Sequence, residues 1–328
     1  MKKNYFCIAL SALLIALNLS AHAQQPKNMP RIGYLSGRSD STPGPSADAF
    51  RQGLRELDYI EGKNILIEYR YSEGKDDRFP SLVAGLVQLK VDALVSPVTA
   101  AIRAAKQATK TIPIVMVTTE DPVAAGLVHS LAHPGGNITG IARLTRELAG
   151  KRLELLQEVV PGKARVGVLV DVNSTSATGT FKEYETVARA LKIPLQSMEV
   201  RGPNLDFEGA FQAAAKSRVS ALITVTNPQL LRYQKRIADL AIKNRLPSMH
   251  EQIDFVEAGG LMSYATDDAT NFRRAAYFVD KILKGAKPTD LPVEQPTKFE
   301  LVINLKAAKQ IGLTIPQSML YRADKVIK

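Results

Sequence analysis

The chain has 328 residues, of which 45% are hydrophobic and 23% are charged, and these values are typical of globular proteins. Its net charge of +11 comes from basic residues that are dispersed among acids and do not alternate with aromatic residues, which favours a solvated basic surface over a nucleic-acid interface. The single cysteine, Cys7, lies within the first 23 residues, so the rest of the chain forms no disulfide and offers no thiol nucleophile.

The first 23 residues have the three parts of a secretory signal peptide. Lys2 and Lys3 are followed by an apolar stretch at 6–19 and by an Ala-His-Ala cleavage site at 21–23. The apolar stretch is shorter than the roughly 20 residues of a membrane-spanning helix, which disfavours a retained membrane anchor. Cys7 has no lipobox before it, so we do not expect a lipoprotein. We expect an exported, periplasmic protein of about 305 residues, enough for two domains.

Strands and helices are predicted to alternate from residue 31 onward. Apolar and β-branched runs predict strands at 31–36, 65–69, 91–95 and 114–117. Helical spacing of apolar residues predicts helices at 47–57, 79–89 and 99–110. Strands that alternate with helices of this length are typical of parallel βαβ units, so the pattern predicts a doubly wound α/β sheet.

The same landmarks return in the same order about 130 residues later. The matching segments are 31–36 with 165–171, 91–95 with 219–223, and 112–113 with 246–247. Any two βα units share some composition, which is the alternative explanation. Three matches in one order favour two doubly wound parallel-sheet lobes of similar topology, joined by a hinge.

The chain is predicted to change lobes at 140–150, after a turn at 134–137. Beyond a strand at 260–264, the pattern predicts a helix at 268–283, an extended stretch at 288–296, a strand at 299–303 and a helix at 305–311. The sequence does not assign these last elements to a lobe. The expected domains are a signal peptide at 1–23, an N-terminal lobe at 30–142, a C-terminal lobe at 143–266 and a segment at 267–328 that crosses back between the lobes.

Residues that could support catalysis or metal binding are few. His129 and His133 have the i, i+4 spacing of a helical metal site, but no acid adjoins His129 and Pro134 ends any helix there. We therefore expect these histidines at a helix end or on the surface. The sequence contains no G-x-S-x-G, no G-x-G-x-x-G and no G-x-x-x-x-G-K-[ST] motif. We expect no enzyme, no cofactor and no metal.

Polar residues follow the predicted strands of both halves. Ligands of open α/β sheets bind at the carboxyl ends of strands, beside helix N-termini whose N–H groups can bind an anion. Helix capping is the alternative role for each residue taken alone. Two lobes that present polar groups at the same edge would enclose a cleft and close on a ligand. The candidate ligand-binding residues are Ser36, Thr99, Ala100, Thr118, Asp121, Asn173, Asn227, Gln252 and Tyr264.

The expected roles of these residues differ between the lobes. Thr99, as N-cap of the alanine-rich helix, and the Ala100 N–H would donate to an anionic group of the ligand. Thr118 and Asp121 would hydrogen-bond from the first lobe. The residues expected to close from the second lobe are Asn173, Asn227 and Gln252, with Tyr264 as an apolar wall.

Three sets of residues read as motifs. They are DPV at 121–123 with GLV at 126–128 and LAHPGGNITG at 131–140, EAGGLMSY at 257–264, and QPTKFELVIN at 295–304. Together they resemble motifs of one family of ABC-transporter substrate-binding proteins, the tryptophan/tyrosine-type group, and the resemblance extends over about residues 30–328. It implies a type I periplasmic binding protein, with two α/β lobes, hinge strands and a ligand between the lobes.

The resemblance also implies a receptor that delivers a small molecule, for some members an aromatic amino acid, to an ABC permease in the inner membrane. The family often has an acid where this chain has Asn227, which puts the binding of an amino group in question. We expect a monomer that does not bind nucleic acid. One alternative is a ligand-sensing partner of a membrane receptor. The other is an exported α/β enzyme, which is disfavoured because the sequence shows no nucleophile–base pair at a recognisable spacing.

Overall fold

The computed structural model describes residues 29–38, 43–143, 147–160, 162, 164–202 and 204–328. The signal peptide predicted at 1–23 lies outside the described residues. The described part of the chain forms two sheets with helices packed on them, which confirms the prediction of two α/β lobes. Within it, no helix has the length and apolar character needed to cross a membrane.

Lobe 1 is built on a parallel sheet. Its strands are β1 (Arg31–Ser36), β2 (Leu66–Tyr71), β3 (Ala93–Ser96), β4 (Ile114–Thr118) and β5 (Ile138–Ala142). They are connected by α1 (Pro45–Glu56), a 3-10 turn at Asp76–Arg78, α2 (Phe79–Gln88) and α3 (Thr99–Ala108). The order β2-β1-β3-β4-β5 changes direction between β1 and β3, which is where ligands of such sheets bind.

Lobe 2 is built on a larger sheet. Its strands are β6 (Val166–Asp171), β7 (Leu195–Val200), β8 (Ala221–Thr224), β9 (Ser248–His250), β10 (Met262–Ala265), β11 (Glu300–Asn304) and β12 (Lys325–Ile327). The helices after β5 are α4 (Ala149–Val159), α5 (Thr175–Ala190), α6 (Phe207–Lys216), α7 (Pro228–Arg232), α8 (Gln234–Lys243), α9 (Ile253–Glu257), α10 (Asp268–Leu283), α11 (Leu305–Ile311) and α12 (Gln317–Arg322). The order is β12-β11-β10-β9-β8-β6-β7, and the strands are parallel except for the antiparallel pair β10 and β11.

Helix α10 packs on lobe 1, although it directly follows β10 of lobe 2. Its Phe272, Ala276 and Val279 are buried in one apolar cluster with Phe50 and Leu54 of α1. The chain then returns to lobe 2, where β11 and β12 extend the second sheet. The apolar stripe predicted for 268–283 therefore covers the first sheet.

The stretch 288–296, predicted to be extended throughout, begins with a 3-10 turn at Pro288–Asp290. Beyond this turn it runs beside β5, because the Glu294 N–H donates to Gly140 O and the Ala142 N–H donates to Glu294 O, both at 2.9 Å. Gly140 has a φ of +127°, and a Cβ at this position would overlap the Met116 backbone of β4. The glycine thus lets β5 lie close against β4.

Candidate functional site

The carboxyl-terminal strand edges of the two lobes face each other and are in contact at one rim. Gly37, directly after β1, lies against Pro228 at the start of α7, since a Cβ built on Gly37 would be 2.6 Å from Pro228 Cγ. Gly74, beyond β2, lies against Gln229, whose Oε1 would be 2.7 Å from such a Cβ. The strand ends of the two lobes therefore meet at this rim.

A second contact between the lobes is polar. Asp268, the first residue of α10, accepts hydrogen bonds from Arg143 Nη1 at 2.6 Å and from Gln252 Nε2 at 3.2 Å. Arg143 follows β5, is 5% exposed, and donates its backbone N–H to Thr118 O at 2.8 Å. Gln252 belongs to lobe 2, so its amide group, predicted to bind a ligand, takes part in a bond between the lobes.

Three of the lobe 1 candidates lie together at neighbouring strand ends. Ser36 ends β1, and its Oγ accepts a backbone N–H at 3.2 Å. Thr118 ends β4, and its Oγ1 is 3.4 Å from Thr99 Oγ1, with both side chains buried. These three hydroxyl groups thus lie at the carboxyl-terminal edge of the lobe 1 sheet.

Helix α3 begins at Thr99, so the prediction that Thr99 is its N-cap is wrong. Val98 occupies the N-cap position, and its N–H donates to Ser96 Oγ at 3.1 Å. Thr99 is therefore the first residue of the helix and not its cap. The N–H groups of Thr99 and Ala100 lie in the first turn, where no carbonyl of the helix can accept them, so both can donate to an anion.

Asp121 is exposed and shapes a turn. Its Oδ1 accepts the N–H groups of Val123 at 2.8 Å and Ala124 at 3.2 Å. The helix considered for His129 and His133 does not form, because this segment is a series of turns in which the His129 N–H donates to the carbonyl of the residue after His133 at 2.9 Å. The first motif therefore contributes exposed turns to the surface of lobe 1 and some of its apolar residues to the lobe 1 core.

The lobe 2 candidates are organised around Asp171, the last residue of β6. Asp171 Oδ1 accepts from the backbone N–H of Asn173 at 3.0 Å and from its Nδ2 at 3.1 Å. Asp171 Oδ2 accepts from Asn227 Nδ2 at 3.0 Å, and Asn227 Oδ1 caps α7 by accepting the Leu230 N–H at 2.7 Å. Both asparagine side chains thus bond to protein groups, with a buried carboxylate at their centre.

A buried ion pair lies behind these strand ends. Arg152 of α4 is 0% exposed, and it donates from Nε to Tyr264 O at 2.8 Å and from Nη1 to Glu251 Oε1 at 3.3 Å. Tyr184 donates its hydroxyl to Glu251 Oε1 at 3.1 Å, and Glu251 Oε2 accepts the Thr226 N–H at 2.8 Å. The network fixes the backbone on both sides of β9, while the Tyr264 ring packs on the lobe 2 core.

Several buried polar atoms near the facing edges have no hydrogen-bond partner among the described residues. They are Ser72 Oγ, Arg143 Nε, Thr226 Oγ1 and Gln229 Oε1. Ser72 and Arg143 follow strands of lobe 1, whereas Thr226 and Gln229 follow β8 of lobe 2. Folded proteins leave few buried polar groups unpaired, so these four atoms, contributed by both lobes, are available for hydrogen bonds to water or to a polar ligand.

Carboxyl groups from both lobes also come close to each other. Burial, and then the charges of Asp77 and Asp171, raise the pKa of Asp76 above its ordinary value. Burial, and then the charge of Asp268, raise the pKa of Asp254 in the same direction. Asp76 and Asp268 lie in lobe 1, and Asp171 and Asp254 in lobe 2, so acids of the two lobes interact across this edge, where Arg143 also pairs with Asp268.

The described residues bear on two kinds of chemical site, a metal cluster and a serine–histidine pair. No group of three His, Cys, Asp or Glu side chains in this part of the chain is placed to hold a metal ion. His250 Nε2 is 3.0 Å from Ser248 Oγ, but both residues are buried, and the ring stacks on Phe255 at 4.9 Å. Burial lowers the pKa of His250 to about 3. This serine–histidine pair is out of reach of a substrate and belongs to the core.

Some site residues are absent from the candidates chosen from the sequence. Arg152 lies in the apolar stripe of α4, with Leu153 and Leu156, and a charge within such a stripe is a signal that the sequence does contain. Arg143 and Asp268 are far apart in the chain, and no local pattern pairs them. Their hydrogen bond forms because α10 packs on lobe 1, and the sequence does not predict that packing.

Comparison with known proteins identifies relatives along nearly the whole described chain. The family model described as ABC transporter substrate binding protein matches residues 43–327. The tyrosine-binding protein of Clostridioides difficile (strain R20291) is 26% identical over 290 residues, which cover 84% of this chain and 80% of that protein.

Two solved structures are similar in both sequence and fold. The ABC domain in complex with L-Trp from Streptococcus pneumonia has 26% identity and a TM-score of 0.79, and the match covers 91% of this chain and 99% of that one. A conserved domain protein from Vibrio cholerae O1 biovar El Tor has 28% identity and a TM-score of 0.81, with the same coverage of both chains.

Proposed function

The chain belongs to the family of ABC transporter substrate-binding proteins, and on that premise we propose that it captures an amino acid, in the first instance an aromatic one, between its two lobes. The membership and the type I periplasmic binding protein fold confirm what the three motifs predict. The observation that carries the proposal is a set of buried atoms that find no hydrogen-bond partner among the described residues, namely Ser72 Oγ, Arg143 Nε, Thr226 Oγ1 and Gln229 Oε1. An amino acid has both the donors and the acceptors that these atoms need.

An aromatic amino acid is supported by what two relatives bind. One is named for tyrosine, and the other was solved with L-Trp. The missing acid at Asn227 does not remove negative charge from this edge, because Asp171 is bonded to Asn227 Nδ2 at 3.0 Å. We infer that Asp171 compensates the ammonium group, and that Thr99 with the Ala100 N–H receives the carboxylate at the start of α3.

The other predicted residues are assigned by their place at the same edges. Ser36 and Thr118 complete the polar wall of lobe 1, Gln252 links the lobes next to the ligand, and Tyr264 contributes to the lobe 2 wall. Asp121, Asn173 and Asn227 shape the turns that carry this wall. Their side chains bond mainly to protein groups, so we expect them to act on affinity through loop position.

In this role the protein is exported by the signal peptide proposed at 1–23, works as a monomer in the periplasm, and delivers its solute to an ABC permease. Deletion of the gene tests this part directly. Uptake of the solute should fail in the deletion strain. If uptake persists and only a cellular response to the solute is lost, the protein is the sensing partner of a membrane receptor.

Ligand class is tested by calorimetric titration of ligand-stripped protein with L-tryptophan and L-tyrosine. We expect saturable binding at one site. Tryptamine, which lacks the carboxylate, and indole-3-propionate, which lacks the ammonium, should each bind at least about tenfold more weakly, since each leaves a charged contact unmade. Absence of binding by either amino acid, together with no thermal shift across a broad metabolite panel, would contradict the proposal.

Thr226→Val tests the site itself. Valine keeps the shape of threonine and removes a buried hydroxyl without a partner among the described residues, so the free energy of unfolding of the ligand-free protein should stay the same or rise. Affinity for the solute should fall by about tenfold, the value of one hydrogen bond. Thr186→Val, at an exposed position of α5, is the matched control and should leave the affinity unchanged. Equal affinities of the two variants would remove Thr226 from the site.

A further inference from the structure

One glycine at the rim of the cleft has no room for a side chain, and the obstacle lies on the opposite lobe. A Cβ built on Gly37 would be 2.6 Å from Pro228 Cγ and 2.8 Å from Pro228 Cβ, closer than side chains approach in proteins. Pro228 begins α7, and its ring cannot rotate away as a flexible side chain could. Any side chain at position 37 therefore meets a rigid group of lobe 2.

Within lobe 1, position 37 is fixed but unstrained. The Gly74 N–H donates to Gly37 O at 2.8 Å, and the Ser72 N–H donates to Ser36 O at 3.0 Å, so this segment stays paired beyond the end of β1 and cannot withdraw from the rim. The backbone at Gly37 is not among the positive-φ positions, so alanine fits its conformation. The requirement for glycine thus comes from contact between the lobes and not from the folding of lobe 1.

Gly74 makes a similar contact with lobe 2, but it is less decisive. A Cβ on Gly74 would meet Gln229 Oε1 at 2.7 Å, which is the end of a flexible side chain and can move aside. Gly74 also has a φ of +75°, so a substitution there would strain lobe 1 itself. Gly37 is consequently the position at which closure of the lobes can be altered without straining lobe 1.

We infer that Gly37 is a closure-determining residue, whose missing side chain lets α7 seal the rim of the cleft. A side chain at this position separates the lobes and speeds release of the solute. The effect on affinity rests on the proposed receptor function, whereas the effect on lobe separation does not. The two can therefore fail independently.

The experiment compares Gly37→Ala with Gly136→Ala. Gly136 is the matched control, because a Cβ built there meets no atom within 4 Å and its φ is also not positive. Lobe separation is measured by electron-spin distance between labels on Leu89→Cys in lobe 1 and Leu191→Cys in lobe 2, both exposed, in a chain with Cys7→Ser as its only other change. Measurements are made without ligand and with L-tryptophan.

We expect Gly37→Ala to lose the short-distance population that Gly136→Ala and the parent chain retain. With L-tryptophan it should bind about ten- to hundredfold more weakly, through faster dissociation, as overpacking of a rigid contact implies. Adding Pro228→Ala, which removes the opposing ring, should restore part of the short-distance population. Equal short-distance populations in Gly37→Ala and the parent chain, including none in either, would overturn the inference. Failure of the parent chain to bind L-tryptophan or L-tyrosine would instead count against the ligand class.

Discussion

Replacing Arg152 by methionine should destabilise lobe 2 strongly. Arg152 is 0% exposed and Glu251 is 3% exposed, so the change leaves a buried carboxylate without its cationic partner. It also removes the donor to Tyr264 O at 2.8 Å. Breaking one side of a buried ion pair costs about 3–5 kcal/mol, and we expect a loss of this size in the free energy of unfolding.

The assay is urea denaturation followed by a double-mutant cycle. Glu251→Gln alone should also destabilise, while Arg152→Met with Glu251→Gln should cost clearly less than the two single losses together, because the uncompensated charge is gone. Lys235→Met is the control, since it breaks an exposed pair with Asp239 on the same lobe and should cost no more than about 0.5 kcal/mol. A loss for Arg152→Met that is as small as the control, or strict additivity of the two changes, would refute the reasoning.

Two further stability predictions concern His250 and Asn304. The folded-state pKa of His250 is about 3, below the ordinary 6.5, so between these pH values the folded protein binds fewer protons than the unfolded chain. The stability that the neutral, buried His250 contributes is therefore full above pH 6.5 and is lost as the pH falls toward 3. The free energy of unfolding should fall by about 1.4 kcal/mol per pH unit in that window because of His250. Urea midpoints of His250→Gln, measured between pH 6 and 4, should lack this part of the slope. A slope equal to that of the parent chain would contradict the assignment. Asn304→Ala removes the cap that accepts the Lys306 and Ala307 N–H groups of α11, and it should lower the free energy of unfolding by about 1–2 kcal/mol, whereas a change near zero would show that the cap is dispensable.

The fold could be predicted from the sequence because its elements carry clear hydrophobic patterns. Helix α10 at 268–283 and helix α11 at 305–311 match their predictions to the residue, and the other predicted elements that form agree within two residues. The lobe to which α10 belongs could not be predicted, because its apolar stripe would suit either sheet. Only its packing on Phe50 and Leu54 decides the matter.

The site was harder to predict because capping and ligand binding require the same residue types. Asn227 caps α7 and bonds to Asp171, so its place at a strand end has a structural reason. Thr99 looks like an N-cap in the sequence but is not one, since helix α3 begins at Thr99 and Val98 is its N-cap. Contacts across the cleft, such as Gly37 with Pro228, leave no trace in local sequence.

The family motifs are largely scaffold. In the first motif, Asn137 Nδ2 donates to the carbonyls of Thr109 at 3.2 Å and Ile112 at 2.7 Å, which secures the loop before β5. In the second, Gly260 leaves room for the buried His250 ring. In the third, Asn304 caps α11. These three residues stabilise the frame of the two lobes, so their presence does not reveal the ligand.

The central claim is that the two lobes trap a small solute between them, and native mass spectrometry of protein purified under gentle conditions tests it most directly. We predict a species heavier than the bare chain by one small molecule, which is released on denaturation and which restores the added mass and raises the melting temperature when it is returned to the refolded protein. Protein that carries only the mass of its own chain, and whose melting temperature responds to no compound in a broad panel of amino acids and other metabolites, would contradict the account.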